Sequence, residues 1–205
     1  MTPNPTPGAP AEAPKKGGLS TLVIVLIVGG VATCCIVSAL AAIAIPNFIK
    51  FQGKSKQSEA RANLKAAYVG QKMVYAEKDT YSSDLEETGF SPGPGNRYLY
   101  VLAAEGDLAK PGEPGAGKVG VFADSAKFPD IDNEALERAI PPELRAELGV
   151  QGKCPEACSV TIVAAGNVDN DSTVDVWSVS TKDRMIGGRQ VTAGTPHNHV
   201  DDTVE

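Results

Sequence analysis

The chain has 205 residues, 42% hydrophobic and 5% aromatic, with a formal net charge of −6. The charge is unevenly placed: residues 1–18 balance to +1, residues 19–49 hold no charged side chain, and residues 50–205 balance to −7. So long an uncharged run argues against an ordinary soluble domain, and the acidic remainder argues against a nucleic-acid binder, which needs a basic surface.

Residues 1–18 open with MTPNPTPGAPAEAP, a Pro-rich stretch that cannot build a core and reads as a disordered tail. The run 19–45 follows, LSTLVIVLIVGGVATCCIVSALAAIAI. At ~1.5 Å per residue it reaches about 40 Å as a helix, enough to cross a hydrocarbon core with tilt. It is too long for a removable signal, whose apolar part spans ~7–15 residues. Gly30, Cys34, Ser38 and Ala42 are spaced four apart, a small-residue face on which another helix can pack closely. Cys34 and Cys35 lie too deep for acylation at the interface and read as small apolar side chains.

Orientation is open at this level. Lys50, Lys54, Lys56, Arg61 and Lys65 follow the run and only Lys15 and Lys16 precede it, which places the C-terminal part inside the cell by charge count. Long domains escape that rule, and Cys154-Pro-Glu-Ala-Cys158 can close a small disulfide outside the cytoplasm or remain two thiols.

Pro46 falls between two helical patterns and is expected to kink the helix there. Residues 46–80 form an amphipathic stalk, with Ala60, Leu64, Ala67, Gln71 and Tyr75 on one face and a stop near Lys78–Ser83. Residues 81–191 read as a small α+β domain. Its strand candidates are Tyr98–Ala103 and Lys118–Ala123, split by a Gly/Pro loop at Gly106–Gly117. Two short helices are expected at Asp132–Ala139 and Glu143–Leu148, the second started by Pro141 and Pro142. A hairpin of Ser159–Ala164 and Val174–Ser180 closes the domain, with Val160, Ile162 and Ala164 on one face and Trp177 anchoring the return. Residues 192–205 read as an acidic flexible tail.

Catalytic chemistry is hard to place. His197 and His199 are the only histidines, and their position in the polar tail favours solvation over metal binding or a nucleophile–histidine pair. Gly93–Gly95 and Gly112–Gly117 lack the Lys-Ser/Thr and helix start of a phosphate loop. Asp169, Asp171 and Asp175 alternate oxygen ligands in a way that suits Ca²⁺, and the same residues suit a plain hairpin turn.

The segments AAIAIPNFIKF at Ala41–Phe51, SEARANLKAAYVGQKMVYAEKDTY at Ser58–Tyr81 and AGNVDNDSTVDVWSV at Ala165–Val179 resemble type IV pilins and pseudopilins. The resemblance implies a long N-terminal helix, half in the membrane and half packed on an antiparallel sheet. It implies helices bundled in a filament core, with Gly30, Cys34, Ser38, Ala42 and Pro46 as packing positions. It also places the globular part outside the cytoplasmic membrane, so that Cys154 and Cys158 pair. Calcium near the terminal hairpin is known among pseudopilins.

The sequence departs from the family at its processing region. Pilins are cut after a glycine that precedes Phe or Met, and carry an early glutamate. Aligned on Ala41–Phe48, those positions hold Ile24, Val25 and Gly29, and no acid lies between Glu12 and Glu59. A cut after Gly18, leaving Leu19 first, is the alternative; otherwise the polar tail stays in the cytoplasm. The expected function is a structural or assembly subunit of a type IV pilus or type II secretion pseudopilus, with other such subunits, the assembly machinery and the membrane as partners. The competing expectation is a membrane-tethered binding module that does not polymerise.

Overall fold

The computed structural model describes residues 20–169 and 173–203. The 1–18 tail and Gly18 lie outside them. The chain divides into two compact units, Met1–Pro46 and Asn47–Glu205, each treated separately below.

Helix α1 spans Thr21–Lys78, begins in the first unit and has Pro46 within it. Leu22, Ile27, Val31, Leu40 and Ile43 are among its exposed apolar side chains. By length and composition it is the one helix among the described residues able to cross a membrane. Two of its hydroxyls are satisfied within the helix itself. Thr33 donates to the Gly29 carbonyl (2.8 Å) and Ser38 to the Cys34 carbonyl (2.8 Å), so neither is orphaned in lipid.

In the second unit, the α1 residues Ala60, Leu64, Ala67, Gln71 and Val74 are buried at helical spacing, with Tyr68 and Tyr75 half-buried beside them. Asp79 ends the helix in the left-handed region at φ 53°. Gln71, fully buried, then exchanges two hydrogen bonds with the Ser82 backbone and pins the reversal. Helix α2 (Leu85–Thr88) follows, capped by the Asp84 carboxylate.

The rest is an antiparallel sheet with a short helix pair. The strands are β1 (Tyr98–Val101), β2 (Gly120–Val121), β3 (Gly149–Lys153), β4 (Ala157–Gly166) and β5 (Asp175–Ser180), with α3 (Asn133–Ala139) and α4 (Pro142–Glu147) before β3. A hairpin of β6 (Arg184–Ile186) and β7 (Arg189–Val191) stands apart, and β8 (His197–Val200) closes the chain. Gly187 and Gly188 both take positive φ in that hairpin's two-residue turn, which a side chain would strain. The main order is β2-β1-β4-β5-β8, and β3 pairs with the first half of β4.

Alternation along β4 divides two cores. Val160, Ile162 and Ala164 join Tyr98, Tyr100, Trp177 and the α1 face. Val163 and Ala165 join Leu99, Val101, Val176, Leu136 of α3 and Leu144 of α4. A strand buried on both faces reads as a near-continuous apolar run, as SVTIVAAG does.

One expectation is overturned: residues 192–205 are not a loose tail as far as they are described. Val176, Trp177 and Ser178 of β5 pair with β8, and Asp202 is 2% exposed. The physical reason is that β5 would otherwise be an open edge, and its Asp175 side chain needs the donors that Asn198 and Asp202 bring.

Candidate functional site

Gly30, Cys34, Ser38 and Ala42 are exposed along the first half of α1, and a Cβ built on Gly29 or Gly30 meets nothing within 4 Å. This face is open to a neighbouring helix.

In the second unit, the most elaborate polar arrangement surrounds Asp175. Its Oδ2 accepts from the Tyr98 hydroxyl (2.6 Å) and the Trp177 indole N–H. Its Oδ1 accepts from Gln57 Nε2 (3.0 Å), Asn198 Nδ2 (3.0 Å) and the Asp202 backbone N–H (3.4 Å). Helix α1, strands β1, β5 and β8 and the chain end therefore meet on one fully buried carboxylate. Burial first, and then the Asp175 charge, hold the Tyr98 phenol far above its ordinary range, so it remains a donor.

The residues read as a calcium loop divide accordingly. Asp175 turns inward to these donors, Asp171 lies outside the described residues, and Asp169 sits near Lys56, whose ammonium donates to the Val168 carbonyl. No group of three His, Cys, Asp or Glu side chains is placed to hold a metal among the described residues.

His197 and His199 are part of β8, not a solvated tail. His199 Nε2 lies 2.7 Å from Ser178 Oγ, which also accepts from Arg184 Nη2 (2.8 Å). Burial first, then the neighbouring His197 and Arg184, push His199 down to about 4. A basic guanidinium beside a neutral imidazole makes this a structural contact and a poor cation site.

Cys154 and Cys158 form a disulfide at the β3–β4 turn. The Tyr75 hydroxyl donates to the Pro155 carbonyl (3.0 Å), fastening that turn to the end of α1.

The chain matches the family "Type IV pilin PilA" over residues 51–175, which run from the second half of α1 to the start of β5. It is also 39% identical to the type IV major pilin protein PilA of Myxococcus xanthus (strain DK1622), over 90% of this chain and 91% of that protein. The chain belongs to the type IV pilin family.

The pilin's α+β architecture agrees with the expectation from sequence, as do the paired cysteines and the apolar anchor. Sequence reasoning did not find Gln57, Tyr98, Asn198 or Asp202 as the partners of Asp175. Gln57 carries a signal, since it continues the buried spacing of Ala60, Leu64 and Ala67 toward the N-terminus. The others lie more than twenty residues from Asp175 and become neighbours only through strand pairing.

Proposed function

We propose that this chain is a polymerising subunit of a type IV pilus, held in the cytoplasmic membrane by a single pass of α1 before assembly. In the filament, the same helix packs against those of other copies, with the small-residue face of Gly30, Cys34, Ser38 and Ala42 at the contact. The observation that carries this is an uncharged apolar helix half, exposed along its length, on a chain whose head has its own two closed cores. Such a surface needs either lipid or other copies to cover it. The relative's name, a major pilin, supports polymerisation over a tethered module and a pilus over a secretion pseudopilus.

Shearing cells and blotting the sheared and membrane fractions tests the proposal. Recovery in sheared filaments is expected; strict retention in the membrane supports the tethered module, whose sequence argument is Gly29 in place of the glutamate. A terminal ammonium drawn into an apolar bundle needs a carboxylate nearby, and Gly29 offers none. Retention of the uncleaved polar tail therefore belongs to the proposal, and intact mass decides it: a chain beginning at Leu19 shows a cut after Gly18. Calcium at the 169–175 loop is a secondary proposal, resting on Asp169 and Asp171. A melting midpoint unchanged by chelator removes it.

A further inference from the structure

The second half of α1 carries an uneven distribution of charge. Residues 50–78 balance to +5 and residues 79–205 to −12. Lys50, Lys54, Arg61, Lys65 and Lys72 are separated by 4, 7, 4 and 7 residues. At ~100° per residue these steps keep all five cations within an arc of roughly 60°, a single basic ridge. All five are exposed, and none enters an ion pair among the described residues. Arg61 lies over the Trp177 ring and Lys65 donates to the Gly194 carbonyl, so the ridge runs along the β5–β8 side of the helix.

The opposite flank is acidic. A Cβ on Gly70 would lie 2.2 Å from the Thr88 carbonyl oxygen, which fixes α2 against that side of α1. Arg61 and Gly70 are nine residues apart, hence about 180° around the helix. Residues 77–87, which end α1 and form α2, carry Glu77, Asp79, Asp84, Glu86 and Glu87 against Lys78 alone. Glu77, Asp79 and Glu86 are exposed and enter no ion pair among the described residues. Between the flanks, Ala62, Ala66, Val69 and Met73 form an exposed apolar seam.

We propose that the basic ridge of one copy docks the acidic 77–87 corner of a second copy, displaced along the helix axis. The occupant is a second copy because ridge and corner are complementary in sign, and Glu77 and α2 lie on the flank of the helix opposite the ridge. A contact between two different patches is heterologous, and repetition with an axial shift gives an open filament rather than a closed ring. A shift of about seven residues, ~10 Å, brings Glu77 and Asp79 level with Lys72, and twice that brings them level with Lys65. The apolar seam is left free to face the filament interior. This rests on the pilus reading above and adds which surfaces meet and in what stagger.

The test uses the full-length chain expressed in its own cells, with the sheared-filament fraction as readout and the membrane pool and melting midpoint as controls. Lys65→Glu with Lys72→Glu is expected to lower the filament fraction by about tenfold, through like-charge contact. Glu77→Lys with Glu86→Lys should do the same, and combining all four substitutions in one chain should restore most of the loss. Raised salt should weaken wild-type filaments on the scale of Debye screening. Filaments indifferent to either pair, or a four-fold variant no better than its parents, overturn the docking. The latter result points to the ridge meeting anionic lipid instead. Absence of the wild-type chain from sheared filaments overturns the pilus reading itself.

Discussion

The donors that reach Asp175 are a phenol, an indole, two carboxamides and a backbone N–H, all of them neutral. A buried carboxylate so surrounded is tolerable because each lone pair is used; removing it strands the donors. Asp175→Ala is therefore expected to cost at least ~3 kcal/mol, a fall in melting temperature of roughly 10 °C for a domain of this size. Tyr98→Phe removes one donor of five and should cost about a third to a half as much. A melt in which Tyr98→Phe is the worse variant would contradict the arrangement.

His199 adds a pH dependence at the same scale. Its folded value, about 4, lies below the ordinary 6.5, so the unfolded chain binds the proton more readily. Stability is complete above pH 6.5 and declines as the pH falls toward 4. His199 faces His197, Arg184 and Glu143, and Glu59, raised chiefly by burial, works in the opposite sense. Melting between pH 7 and pH 5 should thus show a steeper decline for the wild type than for His199→Gln, which cannot titrate.

Among the elements, α1 and α2 meet at a glycine. Replacing a mid-helix glycine by alanine ordinarily stabilises by ~1 kcal/mol. At Gly70 the sign reverses, since the new methyl would lie 2.2 Å from a backbone oxygen, which cannot rotate away. Gly70→Ala is expected to lower the melting midpoint by several degrees, with loss of ~1–3 kcal/mol. The β5–β8 pairing orders residues that carry no strand signal of their own. HNHVDD has no apolar alternation to mark a strand, and its order derives from an edge and a carboxylate elsewhere in the chain. The hairpin β4–β5, by contrast, was legible because Val160, Ile162, Ala164 and Trp177 display its inward face directly.

For the whole molecule, the division at Pro46 separates a unit that must be covered from one that covers itself. Both cores draw only on residues between Ala60 and Val200. Residues 47–205 expressed alone should therefore be soluble and unfold in one cooperative thermal transition, followed by circular dichroism. A chain that is molten without the first 46 residues would show that the apolar half contributes to the head. The same division leaves the first half of α1 as a surface for lipid or for other copies, which is the architectural basis of the proposed filament.

Sequence alone determined the parts governed by local pattern. An uncharged run defines an anchor, a 3.6-residue period defines the inner face of the stalk, and alternation defines the central hairpin. The short helices expected at Asp132–Ala139 and Glu143–Leu148 lie within a residue of α3 and α4. Tertiary structure alone decided what depends on distant partners: Asp175 turned from a turn ligand into a buried acceptor, His199 was drawn beside Arg184, and the polar end was recruited as an edge strand. Buried polar groups must be satisfied by whichever donors the fold brings near, and sequence spacing does not record which donors those are.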